Sequence, residues 1–215
     1  MVAHSASPST NLLTNGDFES GTLAGWTVND GGEPTGVASG VRTLAGLEVQ
    51  RFFYTVPNKF WGRWTDVFTN NTGAAVTTDV VYRSNLGSDG AGVVYATNGG
   101  KALAEWDTCS GDRDVGMAFG NLGVFFETEV DMACGYNADD NVYMVKRITI
   151  PAGGSAAVVN FIVMNGVDTR NTATDVTARA TAVEAELTAI TGNFRTDPQY
   201  RDGLTAAQIA AIVNW

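Results

Sequence analysis

An antiparallel β-sandwich of the jelly-roll kind, finished by two short C-terminal helices, is the fold that this sequence predicts. Three observations carry it. Apolar or alternating β-type runs follow one another closely through the middle of the chain. The breaks between them hold turn chemistry, "PNK", "NNTG", "NLGSDG", "TNGG" and "PAGG". Helical periodicity enters only after Asp168, so strands and helices do not alternate as βα units would require.

Taken in order, the first ten residues, "MVAHSASPST", form a polar extended tail with no apolar signal core and read as the start of a mature chain. Asn11–Val28 supplies the first strand, and "NDGGEPTGVASG" is a Gly-rich connection. The runs "LEVQRFFYTV", "FWGRWTDVFT", "AVTTDVVYRS", "AGVVYAT", "LGVFFETEV", "VYMVKRITI" and "AAVVNFIVM" are then the sandwich strands. In "DVTARATAVEAELTAI", Val176, Ala180, Val183, Leu187 and Ile190 recur at spacings that fall on one helix face, with Asp175 as N-cap. The closing "LTAAQIAAIVNW" shows a capping box, Thr205 with Gln208, and a hydrophobic staple, Leu204 with Ile209. The expected organisation is a tail at 1–10, a sandwich at 11–167 and a helical appendage at 168–215. That appendage is expected to pack on the sandwich or on a neighbouring subunit.

Composition narrows the function. Hydrophobic residues make up 44% of the 215, enough for a buried core, and 25 glycines suit many tight turns. The formal net charge of −10 disfavours nucleic acid and anionic membrane surfaces. No apolar run is long enough to cross a bilayer, so membrane insertion is not expected. Cys109 and Cys134 lie in polar, turn-rich segments that do not suit buried thiols, so a disulfide between them is expected. It would contribute on the order of 3.5 kcal/mol by loop closure. An oxidising, extracellular or cell-surface location follows from it.

Catalysis is limited by what is missing. The only histidine is His4, in the tail, which removes Ser-His-Asp and Cys-His machinery and His-based zinc sites. Glu127, Glu129 and Asp131 alternate on one strand face, at a separation a glycosidase could use, but a solvated face of an acidic protein is the favoured reading, with a metal site next and catalysis last. If Cys109 bonds Cys134, the bridge draws Asp107, Asp112 and Asp114 towards Asp131, Asp139 and Asp140. Two acidic loops so held repel unless a cation lies between them, and Ca²⁺ is the natural choice. Trp61, Trp64 and Trp106, with Tyr54, Tyr82 and Tyr95, could present rings to a sugar, although large aromatics in a sandwich more often fill the core. Strand alternation puts Trp61 and Trp64 on opposite faces, so at most one of them belongs to any single surface.

"NLLTNGDFESGTLAGW", Asn11–Trp26, resembles the first strand of bacterial jelly-roll carbohydrate-binding modules, with Asn15, Gly16, Phe18, Glu19, Gly21 and Trp26 at matching positions. That resemblance implies a structural Ca²⁺ site involving Asp17 and Glu19. From Leu47 onward the chain is similar to β-sandwich domains of bacterial secreted and surface proteins, on "NNTGAAVTTDVVYRSNLGSDG", "ITIPAGGSAAVVNFIV" and "LTAAQIAAIVNW".

The reading these observations favour is a non-catalytic extracellular protein, a structural or adhesive subunit of a surface or filamentous assembly. It would associate with itself, its polar tail tied into a neighbouring subunit by strand addition. The alternative is a carbohydrate-binding module that takes polysaccharide. A carboxylate-dependent glycan-degrading enzyme stands behind both.

Overall fold

A computed structural model describes residues 2–3, 26–29, 36–56, 59–85, 92–107, 115–130, 137–164 and 173–215. They form two antiparallel sheets packed face to face, with helix over the outer face of the larger sheet. This is the β-sandwich that the sequence predicts.

The larger sheet is built from β2 (Trp26–Asn29), β3 (Gly36–Ser39), β4 (Arg42–Leu44), β5 (Leu47–Thr55), β6 (Trp61–Thr69), β8 (Gly92–Thr97), β9 (Ala102–Asp107), β10 (Val115–Ala118) and β13 (Ser155–Met164). Its strand order is β2-β3-β5-β6-β13-β10-β9-β8, with β4 also on β5. The smaller sheet holds β1 (Val2–Ala3), β7 (Val76–Asn85), β11 (Gly123–Val130) and β12 (Asn137–Ile150), in the order β1-β7-β12-β11. The tail thus enters its own sheet: Val2 pairs with Arg83 and Ala3 with Tyr82. These two residues find their partners within the chain, and the rest of the 1–10 tail lies outside the described residues.

Two apolar layers hold the fold. The inner one lies between the sheets and combines Leu47, Val49, Phe68, Met117 and Val158 with Val80, Tyr82, Val142, Met144 and Ile150. The outer one lies between the larger sheet and the C-terminal segment, and holds Trp61, Val159, Phe161, Val163, Val183, Leu187, Ile190, Phe194 and Tyr200. β13 serves both layers, even positions facing in and odd positions facing out. Its apolar run therefore shows no alternation, as expected for a strand covered on both faces.

Helix α1 (Ala173–Asn193) lies over β9, β10 and β13. Val183, Leu187 and Ile190 are buried beneath it, as the spacing predicts. The helix begins two residues before Asp175, so Asp175 stands inside the first turn and is not the N-cap. Helix α2 (Ala206–Ala210) carries the expected capping box, Thr205 with Gln208, but stops after five residues. It ends early because the following backbone joins β13: Val213 N donates to the Ala157 carbonyl at 3.0 Å and Ala157 N to the Ala211 carbonyl at 2.7 Å.

Candidate functional site

Most of the residues singled out for metal binding fall outside the described structure. Asp17, Glu19, Asp112, Asp114 and Asp131 do so entirely, together with both cysteines, Cys109 and Cys134. Asp107 lies in β9 and Asp139 and Asp140 in β12, with side chains outside the described set, as is the side chain of Trp106 in β9. Among the described residues no group of acidic, cysteine or histidine side chains is arranged to hold a metal ion.

The tryptophans divide as alternation requires. Trp61 is 3% exposed and belongs to the outer core, where its ring meets Phe161 edge-on at 5.5 Å and lies near Tyr54 and Tyr200. As a ligand-stacking residue it is thereby corrected: its ring fills the core. Trp64 packs partly buried against the inner core, beside Phe53. Tyr54 and Tyr82 are buried too. On the open face of the smaller sheet Phe125 stacks on Tyr143 at 4.9 Å and only 5° from parallel. Stacking covers one face of each ring, and Phe125 remains exposed.

A cleft forms elsewhere, where three turns meet the C-terminal residues. It has a volume of about 170 Å³ and is lined by Lys101, Gly120, Asn121, Thr191, Gly192, Phe194, Arg195 and Trp215. The turn after β8 runs through Asn98, Gly99 and Gly100, all at positive φ, and delivers Lys101 to the rim. The Lys101 carbonyl accepts from Phe119 N at 3.0 Å and Gly120 N at 3.2 Å, which docks the turn after β10 on this one. The end of α1 is joined to the same turn by Asn98 Nδ2, which donates to Thr191 Oγ1.

The floor is made by the last two residues. Asn214 is fully buried and stands in for a strand residue where β10 has left β13. Its Oδ1 accepts from Val159 N at 2.9 Å, and its Nδ2 donates to the Phe119 carbonyl at 2.9 Å and the Val159 carbonyl at 2.7 Å. Its own carbonyl accepts from Asn121 N at 2.6 Å. Gly120, at φ 62°, is obligatory beside it, because a Cβ there would lie 1.8 Å from the Asn214 carbonyl oxygen. Trp215 Nε1 donates to the Val159 carbonyl at 2.8 Å. One side of the indole stacks on Phe194 at 4.4 Å, and the half-buried remainder lines the cleft.

Around this aromatic floor stand the exposed side chains of Lys101, Asn121 and Arg195 and the buried hydroxyl of Thr191. No Asp or Glu lines the cleft. The ion pairs given by the described residues join Arg51 to Asp66 and Arg147 to Asp79, and leave Lys101 and Arg195 out. A second knot braces the segment between α1 and α2 against the sheet. Arg63 donates to the Tyr200 and Asp202 carbonyls at 2.9 and 2.6 Å, and its guanidinium lies 4.5 Å from the Tyr54 ring centre. The Tyr54 hydroxyl donates to Asp202 Oδ2 at 2.7 Å. Burial lowers the Arg63 pKa to about 10 against the attraction of Tyr54 and Asp202, while burial raises that of Tyr54 to about 12, helped by Asp202.

Sequence reasoning did not find the cleft. Lys101 and Arg195 stand almost a hundred positions apart. The usable signals were local: a Gly-Gly turn leading into a lysine, and an Arg directly after an apolar residue at a helix end.

No family model matches the chain, and no curated protein is similar enough in sequence to place it. Solved structures are similar to the chain only at a low level. A candidate aldose 1-epimerase from Klebsiella pneumoniae is 14% identical, with a TM-score of 0.49 over 78% of this chain and 58% of that one. The heparan sulfate lyase HepC from Pedobacter heparinus is 11% identical, with a TM-score of 0.43 over 66% of this chain and 22% of that one. The Slr1438 protein from Synechocystis sp. PCC 6803 is 8% identical, with a TM-score of 0.42 over 65% and 66%. The chain thus spans little more than half the epimerase and about a fifth of the lyase. Likeness at this level carries no activity across. It does correct one expectation, that the chain is not an enzyme: mainly-β neighbours of this kind include enzymes, so the fold is no ground for excluding catalysis.

Proposed function

We propose that the chain is a carbohydrate-recognition β-sandwich and that the Lys101–Asn121–Arg195–Trp215 cleft is its sugar site. The observation that supports this best is the make-up of the cleft. A half-buried indole, fixed by its own hydrogen bond and by Phe194, adjoins polar side chains from three separate turns. A sugar ring offers an apolar face of C–H groups and a rim of hydroxyls, and a site of few polar groups around an aromatic floor matches both. At about 170 Å³ the cleft is well below the roughly 300–1,000 Å³ typical of sites for drug-sized ligands, so it would take a single ring or chain end. The carbohydrate-related neighbours point the same way and add no weight by themselves.

Affinity electrophoresis tests the reading, with the purified chain run through gels containing xylan, mannan, pullulan or polygalacturonate. At least one polysaccharide retards the wild type, and the retardation is lost in Asn121→Ala combined with Lys101→Ala. Both side chains are exposed, so the fold persists in that variant. A wild type that none of the four retards, nor their monosaccharides bind, overturns the proposal.

A further inference from the structure

We infer that the ring this cleft accepts is anionic, bearing a carboxylate or a sulfate ester. The inference rests on the saccharide reading above and goes beyond it by assigning the charge of the ligand.

The argument is electrostatic. The chain has 23 acidic residues against 13 Lys and Arg, so its average surface is negative. Against that background Lys101 and Arg195 share one cleft whose lining includes no Asp or Glu, and neither is engaged in an ion pair among the described residues. The opposing field is that of the α1 C-terminus, which also reaches the cleft through Thr191 and Gly192. A helix end amounts to about half a negative charge, and two full positive charges outweigh it. Balancing the helix does not require them either, because most carbonyls of its last turns already have partners. Thr191 Oγ1 donates to the Leu187 carbonyl, Asn98 Nδ2 to that of Thr188, Asn193 Nδ2 to that of Ala189 and Phe194 N to that of Ile190. Thr196 N and Asp197 N both donate to the Asn193 carbonyl. Neither cation is tied to an acidic side chain among the described residues. Lys is a compact point charge and Arg a planar fork, and together they suit the oxygens of a carboxylate or sulfate held on a ring above the indole.

Isothermal titration calorimetry at low salt separates the outcomes, with galacturonate, galactose 6-sulfate, galactose and inorganic sulfate as probes. One or both anionic sugars bind at least about tenfold more tightly than galactose, the difference that hydrogen bonds to a charged group supply. The advantage disappears in Lys101→Gln with Arg195→Gln and shrinks as salt is raised towards 0.5 M. Galacturonate and the sulfate ester compared with each other identify which anion is preferred. Galactose binding as tightly as either acid overturns the inference but leaves the sugar reading standing. Inorganic sulfate binding as tightly as the sugars reduces the cleft to a plain anion site and overturns both. Silence from all four probes overturns the inference, and the sugar reading then stands or falls on the gel experiment.

Discussion

Arg51 and Asp66 face each other across β5 and β6, inside the inner core. Their side chains close a two-point fork, Nε to Oδ1 at 2.7 Å and Nη2 to Oδ2 at 2.8 Å, at almost no exposure. Two charges there repay their desolvation only as a pair, and the carboxylate attraction holds the Arg51 pKa above its ordinary value in spite of burial. Removing one partner strands the other. Asp66→Ala is expected to cost about 3–5 kcal/mol, read as a fall in the urea midpoint, whereas Arg51→Met with Asp66→Leu costs little or nothing. A single variant within about 1 kcal/mol of wild type would show that water reaches the pair. The sequence offered a sign of this: an Arg and an Asp at inward positions of two apolar strands must meet or be destroyed by burial.

Elements were legible where a periodic pattern was long. β5, β6 and β13 fall within a residue or two of the expected runs, because each shows either clean alternation or a continuous apolar stretch. β4 and β10 were not legible. β4 is three residues long and turns into β5 through Ala45 and Gly46, both at positive φ, and alanine is not a residue that announces such a turn. β10 reads "VGMA" and is buried on both faces, so it shows no period to detect. Its glycine has a reason that only packing reveals: a Cβ on Gly116 would lie 2.7 Å from Val183 and from Leu187 of the helix above. Helix α1 is thus seated by a missing side chain. Gly116→Ala should push it outward and lower stability by about 1–3 kcal/mol, with loss of near-ultraviolet circular dichroism from the outer aromatics. Restoring space with Leu187→Ala in the same chain should recover less than the whole, since that change opens a cavity of its own.

Across the whole molecule, the outer layer is a closure made by distant segments, and the candidate site belongs to that closure. No sequence pattern joins Lys101, Gly120 and Trp215; a β-sandwich topology does, by bringing two turns and the C-terminal residues to one end of the sheet. The same closure sets the response to alkali. Tyr54 and Tyr200 are raised to about 12, each chiefly by burial, from an ordinary value of 10. Between about pH 10 and 12 the unfolded chain therefore releases phenolic protons that the folded chain keeps, and stability falls as pH rises. Arg63, lowered to about 10, works in the opposite sense over the same range, since there the unfolded chain keeps its proton. Two tyrosines against one arginine leave a net loss. Denaturant midpoints from pH 9 to 12 should decline, and Tyr200→Phe should flatten the slope; a midpoint that climbs with pH would contradict the assignment.

The side chain of Asn214 has one more consequence. The amide proton of Val159 sits in the middle of a central strand, where hydrogen exchange ordinarily requires the sheet itself to open. Here its acceptor is an amide oxygen on the C-terminal segment, 55 residues away. Release of that segment, with the sheet intact, is enough to bare it to solvent. The exchange rate of this single proton thus counts how often the floor of the cleft lifts, while its strand neighbours report the opening of the sandwich.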